Sequence, residues 1–270
     1  MRIFISTLGK LRSRLATWLT LGLLILLMAL IYLAAGATYK SAVDRPGGQG
    51  VLLLLTFPGA YALIVSFVLA LGGLFVMAYA AAIAGSEWTW GTLKTAVARG
   101  ESRSRYMLAT YAAIALVAGI GMLVAFGAGV LVTFLGAKLA GVSTAGITDL
   151  SIFGNLPEQF VRGWFGLIEV GAVGFTIATL ARSQLAGVGA GIGIYFASTF
   201  AGAFLPDIVK YLPFTAANAL VQADTAFAGG GQAQGPTLLD PNTAVVVVAA
   251  WLVLCLVVTA VFSERAEIAG

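Results

Sequence analysis

VLLLLTFPGAYALIVSFVLALGGLFVMAYAAAIAG, residues 51–85, is an uncharged apolar run, and SEWTWGTLKTAVARGESRSR, residues 86–105, breaks it with twenty polar, basic and helix-prone positions. A second long apolar run, 106–137, follows. About 20 apolar residues, at about 1.5 Å rise each, cross the hydrocarbon core of a bilayer. Two such runs around one polar insert describe two membrane-crossing helices joined by a structured segment on the membrane's face.

Four further apolar runs, 15–36, 163–181, 185–205 and 243–262, bring the candidate spans to six. Composition agrees with that reading: 60% of the 270 residues are hydrophobic and 10% charged, and mean hydropathy is +1.00. Soluble domains carry about 25% charged residues. Runs 51–85 and 106–137 exceed what a bilayer needs, so each tilts, bends or projects into water. Pro58 or Gly72-Gly73 is the expected bend in the second span. The longest stretch between spans, 206–242, is too short for an ordinary independent domain. The fold expected is an all-α integral membrane protein, one domain over 1–270, with six transmembrane helices.

Lysine and arginine asymmetry sets the orientation. With the N-terminus inside, Arg2, Lys10, Arg12, Arg14, Lys94, Arg99, Arg103, Arg105, Arg182 and Arg265 are cytoplasmic, and Lys40, Arg45, Lys138, Arg162 and Lys210 are outside. The insert 86–105 and both termini then lie in the cytoplasm, and the expected location is a bacterial or archaeal cytoplasmic membrane. The net charge of +4 reflects this positive-inside bias and carries no nucleic-acid footprint. The apolar core after the first basic residues is about 19 residues, longer than a signal-peptide core, so it is taken as the first span.

Residues 1–14, MRIFISTLGKLRSR, place Ile3, Phe4, Leu8 and Leu11 at helical spacing opposite Lys10 and Arg14. Two readings stay open: an amphipathic helix along the inner leaflet, or a basic tail that only sets topology. Outside, 37–50 ends in the turn formers Asp44-Arg45-Pro46-Gly47-Gly48, and 138–162 is rich in Gly, Ser and Thr. In the last outer loop, 206–212 and 214–222 read as short helices on the membrane face, and 227–241 as a flexible return. Gly187, Gly189, Gly191 and Gly193 lack the setting of a nucleotide loop. Their spacing of four suits helix packing in a bilayer.

The chain has no histidine, which removes a serine–histidine protease, an HExxH metalloprotease and a histidine-ligated haem or copper site. One cysteine, Cys255, builds no thiolate cluster and no internal disulfide; mid-span, it reads as a small apolar packing residue. The Gly9-Lys10 pair has no upstream glycine at P-loop spacing. The chain is therefore not expected to be an enzyme. Glu169 is the ionisable side chain inside a predicted span, about 10 Å into the fourth. Such a carboxylate faces the bundle interior, a wet cavity or a partner, as a cargo, gating or subunit contact, or else is satisfied structurally near the interface.

Within 86–98, Trp90, Leu93 and Val97 recur at helical spacing, with Glu87, Gly91, Lys94 and Ala98 on another face. That is a short amphipathic helix, with Trp88 and Trp90 suited to the headgroup level. Gly100 is the expected stop, and Ser102 or Ser104 the N-cap of the third span.

The pattern Glu87-x-x-x-Gly91-Thr92-Leu93-Lys94, followed by Arg103-Ser104-Arg105, resembles the coupling region of ABC-2 type transporter permeases, and the six-span layout is similar to theirs. Many of those permeases carry a lysine shortly into the third span, where this chain has Ala109 and Thr110. The resemblance implies a cytoplasmic coupling helix between spans two and three, docked in a groove of a separate ABC ATPase present in two copies. Glu87, Trp90, Gly91, Thr92, Leu93, Lys94, Arg103 and Arg105 would form the docking region. ATP and Mg would be bound by that ATPase, with no cofactor in this chain. A second permease copy or paralogue would complete the exporter, with the cargo path between the two permeases near spans two and five. Against this stand a secondary carrier or channel that works without an ATPase, and a non-transport membrane protein such as an assembly or immunity factor.

Overall fold

The structure, a computed structural model, describes residues 2–42, 48–149, 155–202, 204–221 and 238–266. An apolar run in lipid has no water to satisfy its backbone, so every N–H bonds within its own segment and the run folds as a helix. Among the described residues all regular structure is helical: α1 (Arg2–Ser13), α2 (Leu15–Ala42), α3 (Gly48–Leu55), α4 (Ala60–Thr89), α5 (Thr92–Ala98), α6 (Arg103–Ala140), a 3-10 turn at Ala145–Thr148, α7 (Leu156–Ala181), α8 (Gln184–Ala201), α9 (Pro206–Val209), α10 (Pro213–Ala219) and α11 (Pro241–Arg265). Six of these, α2, α4, α6, α7, α8 and α11, are long and apolar enough to cross a membrane. This is an all-α membrane protein.

Boundaries follow local chemistry. Proline occupies the first turn of α7, α9, α10 and α11, where its missing N–H has no intrahelical partner to lose. Asp240 caps α11 by accepting from the Asn242 and Thr243 N–H groups, and Ser183 caps α8 by accepting from Ala186. The helices run longer than the apolar runs: α7 begins at Leu156 and α6 extends from Arg103 to Ala140. The run 51–85 is broken into α3 and α4 at 56–59, around Pro58, which supplies no N–H to continue α3. Gly72-Gly73 lies within unbroken α4.

α4 and α7 are the inner pair. In their most apolar windows 61% and 67% of residues are buried, against 17–28% for the other four spans. α8 covers one side of that pair, α11 packs on α7, and α2 and α6 pack on each other. The α2–α6 crossing is close because Gly36 and Gly136 meet there: a Cβ on either would strike backbone of the other helix. One apolar cluster, with Met28, Ile64, Met122 and Leu167, fills the middle of the bundle. A second, with Leu11, Ile83, Leu93, Met107 and Phe175, fills the end that carries α1 and α5.

Of the two readings of 1–14, the helix is the one observed: α1 buries Leu11 in that second cluster. The short helices α9 and α10 lie where 206–212 and 214–222 predict them, while 222–237, which includes most of the predicted return 227–241, lies outside the described residues, as does 43–47. The glycine ladder of α8 is split. Gly187 and Gly191 face Ala178 of α7 and Met77 of α4, but Gly189 and Gly193 point into open space. Only one of the two glycine pairs serves packing within the chain.

Candidate functional site

The insert 86–105 does not form one helix. Residues 86–89 complete the last turns of α4, Trp90 ends that helix, and Gly91 turns the chain with φ +67 before α5 starts at Thr92. A residue with a Cβ is disfavoured in that left-handed conformation, and glycine is not. The expected single amphipathic helix over 86–98 is thereby corrected to a helix end, a glycine turn and the short α5. Gly100, also at positive φ (+85), stops the chain after α5. Ser102 holds the N-cap position of α6 with extended backbone, but its side chain makes no capping bond. Ser104 instead bonds the Glu264 carboxylate, through its hydroxyl at 2.5 Å and its N–H at 3.2 Å.

This break changes the role of Glu87. It does not share an exposed helix with Lys94. It sits in the last turn of α4, 1% exposed, where its carboxylate collects partners from three other segments. Lys10 Nζ lies 2.6 Å from Oε1 and Arg14 Nη2 3.6 Å from it. Tyr106 OH donates to Oε2 at 2.7 Å, and the Thr92 hydroxyl donates to the same oxygen. Arg14 also donates to Ser86 Oγ at 3.1 Å. A carboxylate at a helix C-terminus opposes the helix dipole, so the two cations compensate both the charge and the dipole. One side chain thus ties α1, α4, α5 and α6 together.

The rest of that end is closed by aromatic and polar contacts. Trp88 meets Phe262 edge-on at 6.2 Å, and the Arg182 guanidinium lies 5.3 Å from the Trp88 ring and 5.5 Å from Phe262. Arg103 donates to the Ala266 carbonyl, so the start of α6 is held by the end of α11. Arg105 makes an exposed pair with Glu101 at 3.9 Å.

The predicted docking residues therefore separate into two groups. Leu93 is buried against Leu11, Ile83 and Met107, and Glu87 and Thr92 point into the hub. Trp90 is 64% exposed, with the Arg14 guanidinium 5.1 Å from its ring, and Lys94 and Arg105 lie at the surface. Lys10, Arg14 and Tyr106 belong to the site although sequence reading missed them as its members. The only signal was two cations four apart in a basic lead-in, 72 or more positions away from Glu87 and Ser86.

Glu169 lies inside the bundle with no exposed surface, and neither carboxylate oxygen has a hydrogen-bond partner among the described residues. A carboxylate satisfied by hydrogen bonds is therefore not what is seen among the described residues. Tyr111 and Cys255 lie within electrostatic reach of it. The expected outcome of Glu169→Gln, which keeps shape and removes the capacity for charge, is stability within about 1 kcal/mol of the parent. Glu169→Lys should cost more than about 3 kcal/mol because it buries an unpaired ammonium. Thermal unfolding of the two purified variants in detergent checks the contrast. No group of three or more His, Cys, Asp or Glu side chains suited to a metal ion is present among the described residues.

Known proteins resemble this chain in two ways. A 164-residue stretch is 27% identical to "Uncharacterized protein YhcI" of Bacillus subtilis (strain 168), covering 53% of this chain and 50% of that protein. The chain thus spans about half the length of the curated relative it matches. Residues 56–269, which hold α4 to α11 and the whole Glu87 turn, match a family model, and the chain belongs to the family described as Protein of unknown function (DUF2705).

Proposed function

We propose that this chain is the membrane-spanning subunit of an ABC-2 type exporter, driven by a separate ATPase that docks on the segment from Trp90 to Arg105. The observation that carries the proposal is the Glu87 hub. A force applied to α5 reaches α4 through the Thr92–Glu87 bond and α6 through Tyr106 on the same carboxylate. α5 and the ends of two spans therefore move as one body, which is what coupling to an external motor requires. Leu93 anchors α5 from below, and Trp90 and Lys94 offer an aromatic and a cationic contact on the exposed side. Glu87 acts in this scheme as an organiser behind the docking surface, and the ATPase touches its neighbours.

The chain itself would hydrolyse nothing. ATP and Mg would be bound by two ATPase copies, and a second permease copy or paralogue would complete the exporter. In this reading, which the lysine and arginine asymmetry supports, both termini and the insert would lie in the cytoplasm of a bacterial or archaeal cell, with the protein multi-pass in the cytoplasmic membrane. A second reading, a carrier working on an ion gradient without an ATPase, draws on the uncompensated carboxylate of Glu169.

Co-purification decides between them. The adjacent reading frame should encode an ATPase with a Walker motif, and the full chain expressed with that ATPase should retain it through size exclusion in detergent. Trp90→Ala combined with Lys94→Glu should lower the retained ATPase at least tenfold, equivalent to about 1.4 kcal/mol, with membrane insertion unchanged. Retention of the ATPase by the double variant counts against this docking surface. If no ATPase is retained, and an ion gradient alone moves cargo in liposomes, the carrier reading replaces the exporter.

A further inference from the structure

At the end of the N-terminal helix, Lys10, Arg12 and the following Arg14 point in two directions. Lys10 and Arg14, four apart, turn toward Glu87. Leu8 and Arg12 form the alternate stripe, about 200° around the helix, and line a cleft of about 370 Å³ that takes no part in the hub. Among the described residues Arg12 has no ion-pair partner.

The cleft lies between α2 and α6 on the α1 side of their Gly36–Gly136 crossing, with α4 contributing the surface between them. Leu24, Val68, Val76 and Ile120 are typical of its lining, which is apolar almost throughout. The polar groups along it are turned into internal bonds: Thr17 Oγ1 and Tyr79 OH share one at 2.7 Å, and the Thr20 hydroxyl bonds the Ala16 carbonyl at 2.9 Å. On α4 the cleft runs from Val68 to Tyr79, about 17 Å along the axis. One leaflet of hydrocarbon is about 15 Å deep, half the core thickness. Arg12 of α1 marks one end, and Trp18, whose ring N–H bonds the Arg12 carbonyl at 3.0 Å, stands next to it at a level suited to headgroups. A hydrocarbon chain in an apolar space of this size gains dispersion contacts on every wall, and mobile hydrocarbon is the medium beside it.

We infer that this cleft binds one acyl chain of an anionic phospholipid from the leaflet that faces the cytoplasm, with Arg12 holding its headgroup. Depth selects a single-leaflet chain, the lining selects hydrocarbon, and the lone cation at the end selects negative charge, which is concentrated in that leaflet. The inference rests on the orientation proposed above and not on the ATPase, so it stands or falls apart from the transport reading.

Photolabelling tests it. The full chain is placed in vesicles of phosphatidylethanolamine and phosphatidylglycerol that contain a phosphatidylglycerol with a photoactivatable acyl chain, then irradiated, digested and mapped. Label should concentrate on 68–79 and 117–124 relative to the outward face of α11 at Val253 and Val257. A phosphatidylcholine probe with the same acyl chain should show no such preference. Arg12→Ala should lower cleft labelling about fivefold, the equivalent of about 1 kcal/mol per basic residue at an anionic surface, with α11 labelling unchanged. Gly121→Trp should abolish it by filling the cleft, since a Cβ at Gly121 meets nothing within 4 Å. Arg12→Ala alters only an exposed side chain and carries the test where the larger substitution fails to fold. Equal labelling of cleft and α11, equal labelling by the neutral probe, no response to Arg12→Ala, or a cleft shielded by a second copy would each overturn the site.

Discussion

Glu87→Lys releases the N-terminal helix from the bundle. The substitution sets a third cation beside Lys10 and Arg14 at the C-terminal end of α4 and removes the acceptor used by Thr92 and Tyr106. Breaking a buried ion pair costs about 3–5 kcal/mol. Lys10 is 33% exposed, so screening reduces this, and about 3 kcal/mol is expected, roughly a hundredfold in the balance between docked and undocked α1. Limited trypsin digestion of the detergent-solubilised protein reads that balance through cleavage at Lys10, Arg12 and Arg14, which should accelerate by about that factor. Glu87→Gln keeps a carbonyl acceptor for Tyr106 and should show about a tenth of the effect. The exchange Glu87→Lys with Lys10→Glu should recover part of the protection, because one opposite-charge pair is restored. An unchanged digestion rate for Glu87→Lys would mean that α1 is held by Leu11 alone and that the hub couples nothing.

Gly136→Leu should be the most damaging single change in the membrane-spanning part. A Cβ at Gly136 would lie 2.6 Å from the Tyr32 carbonyl oxygen, and the reciprocal contact from Gly36 meets Gly136 backbone. Backbone does not yield as a flexible side chain does, so α2 and α6 must separate along the crossing. Overpacking costs about 1–3 kcal/mol where side chains adjust, and this site should exceed that range. The unfolding midpoint in detergent should fall by about 10 °C, taking 2–4 °C per kcal/mol for a chain of this order of size. Gly121→Leu, on the same helix but with open space at its Cβ, should leave the midpoint within about 2 °C. Equal behaviour of the two variants would show that the α2–α6 contact does not limit stability.

Much of the architecture was legible residue by residue. Each apolar run became a helix because backbone satisfaction in lipid is a property of the run itself. Pro157, Pro206, Pro213 and Pro241 mark first turns because a missing N–H acts locally. Pro58 divided the second run for the same reason, and Gly91 turned the chain because its φ preference is its own. The expected helix over 86–98 failed at that glycine. An amphipathic pattern through 86–98 matched a helical face, and one left-handed residue outweighed the pattern.

The sequence by itself determined that this is an all-α chain with six helices able to cross a membrane, where each begins and ends to within a few turns, and that the polar segment between the second and third deserves a separate structure. Those are consequences of hydropathy, length and local capping. Only the tertiary structure decided what Glu87 touches, since Lys10 is 77 positions away and Tyr106 lies beyond a glycine turn. It alone placed Glu169 without a hydrogen-bond partner among the described residues and set Arg12 at the end of an apolar cleft. Charge pairing, isolation and cavities depend on which helix faces meet. Those faces are chosen by packing between distant segments, such as the Gly36–Gly136 crossing, and no window of sequence contains both sides of it.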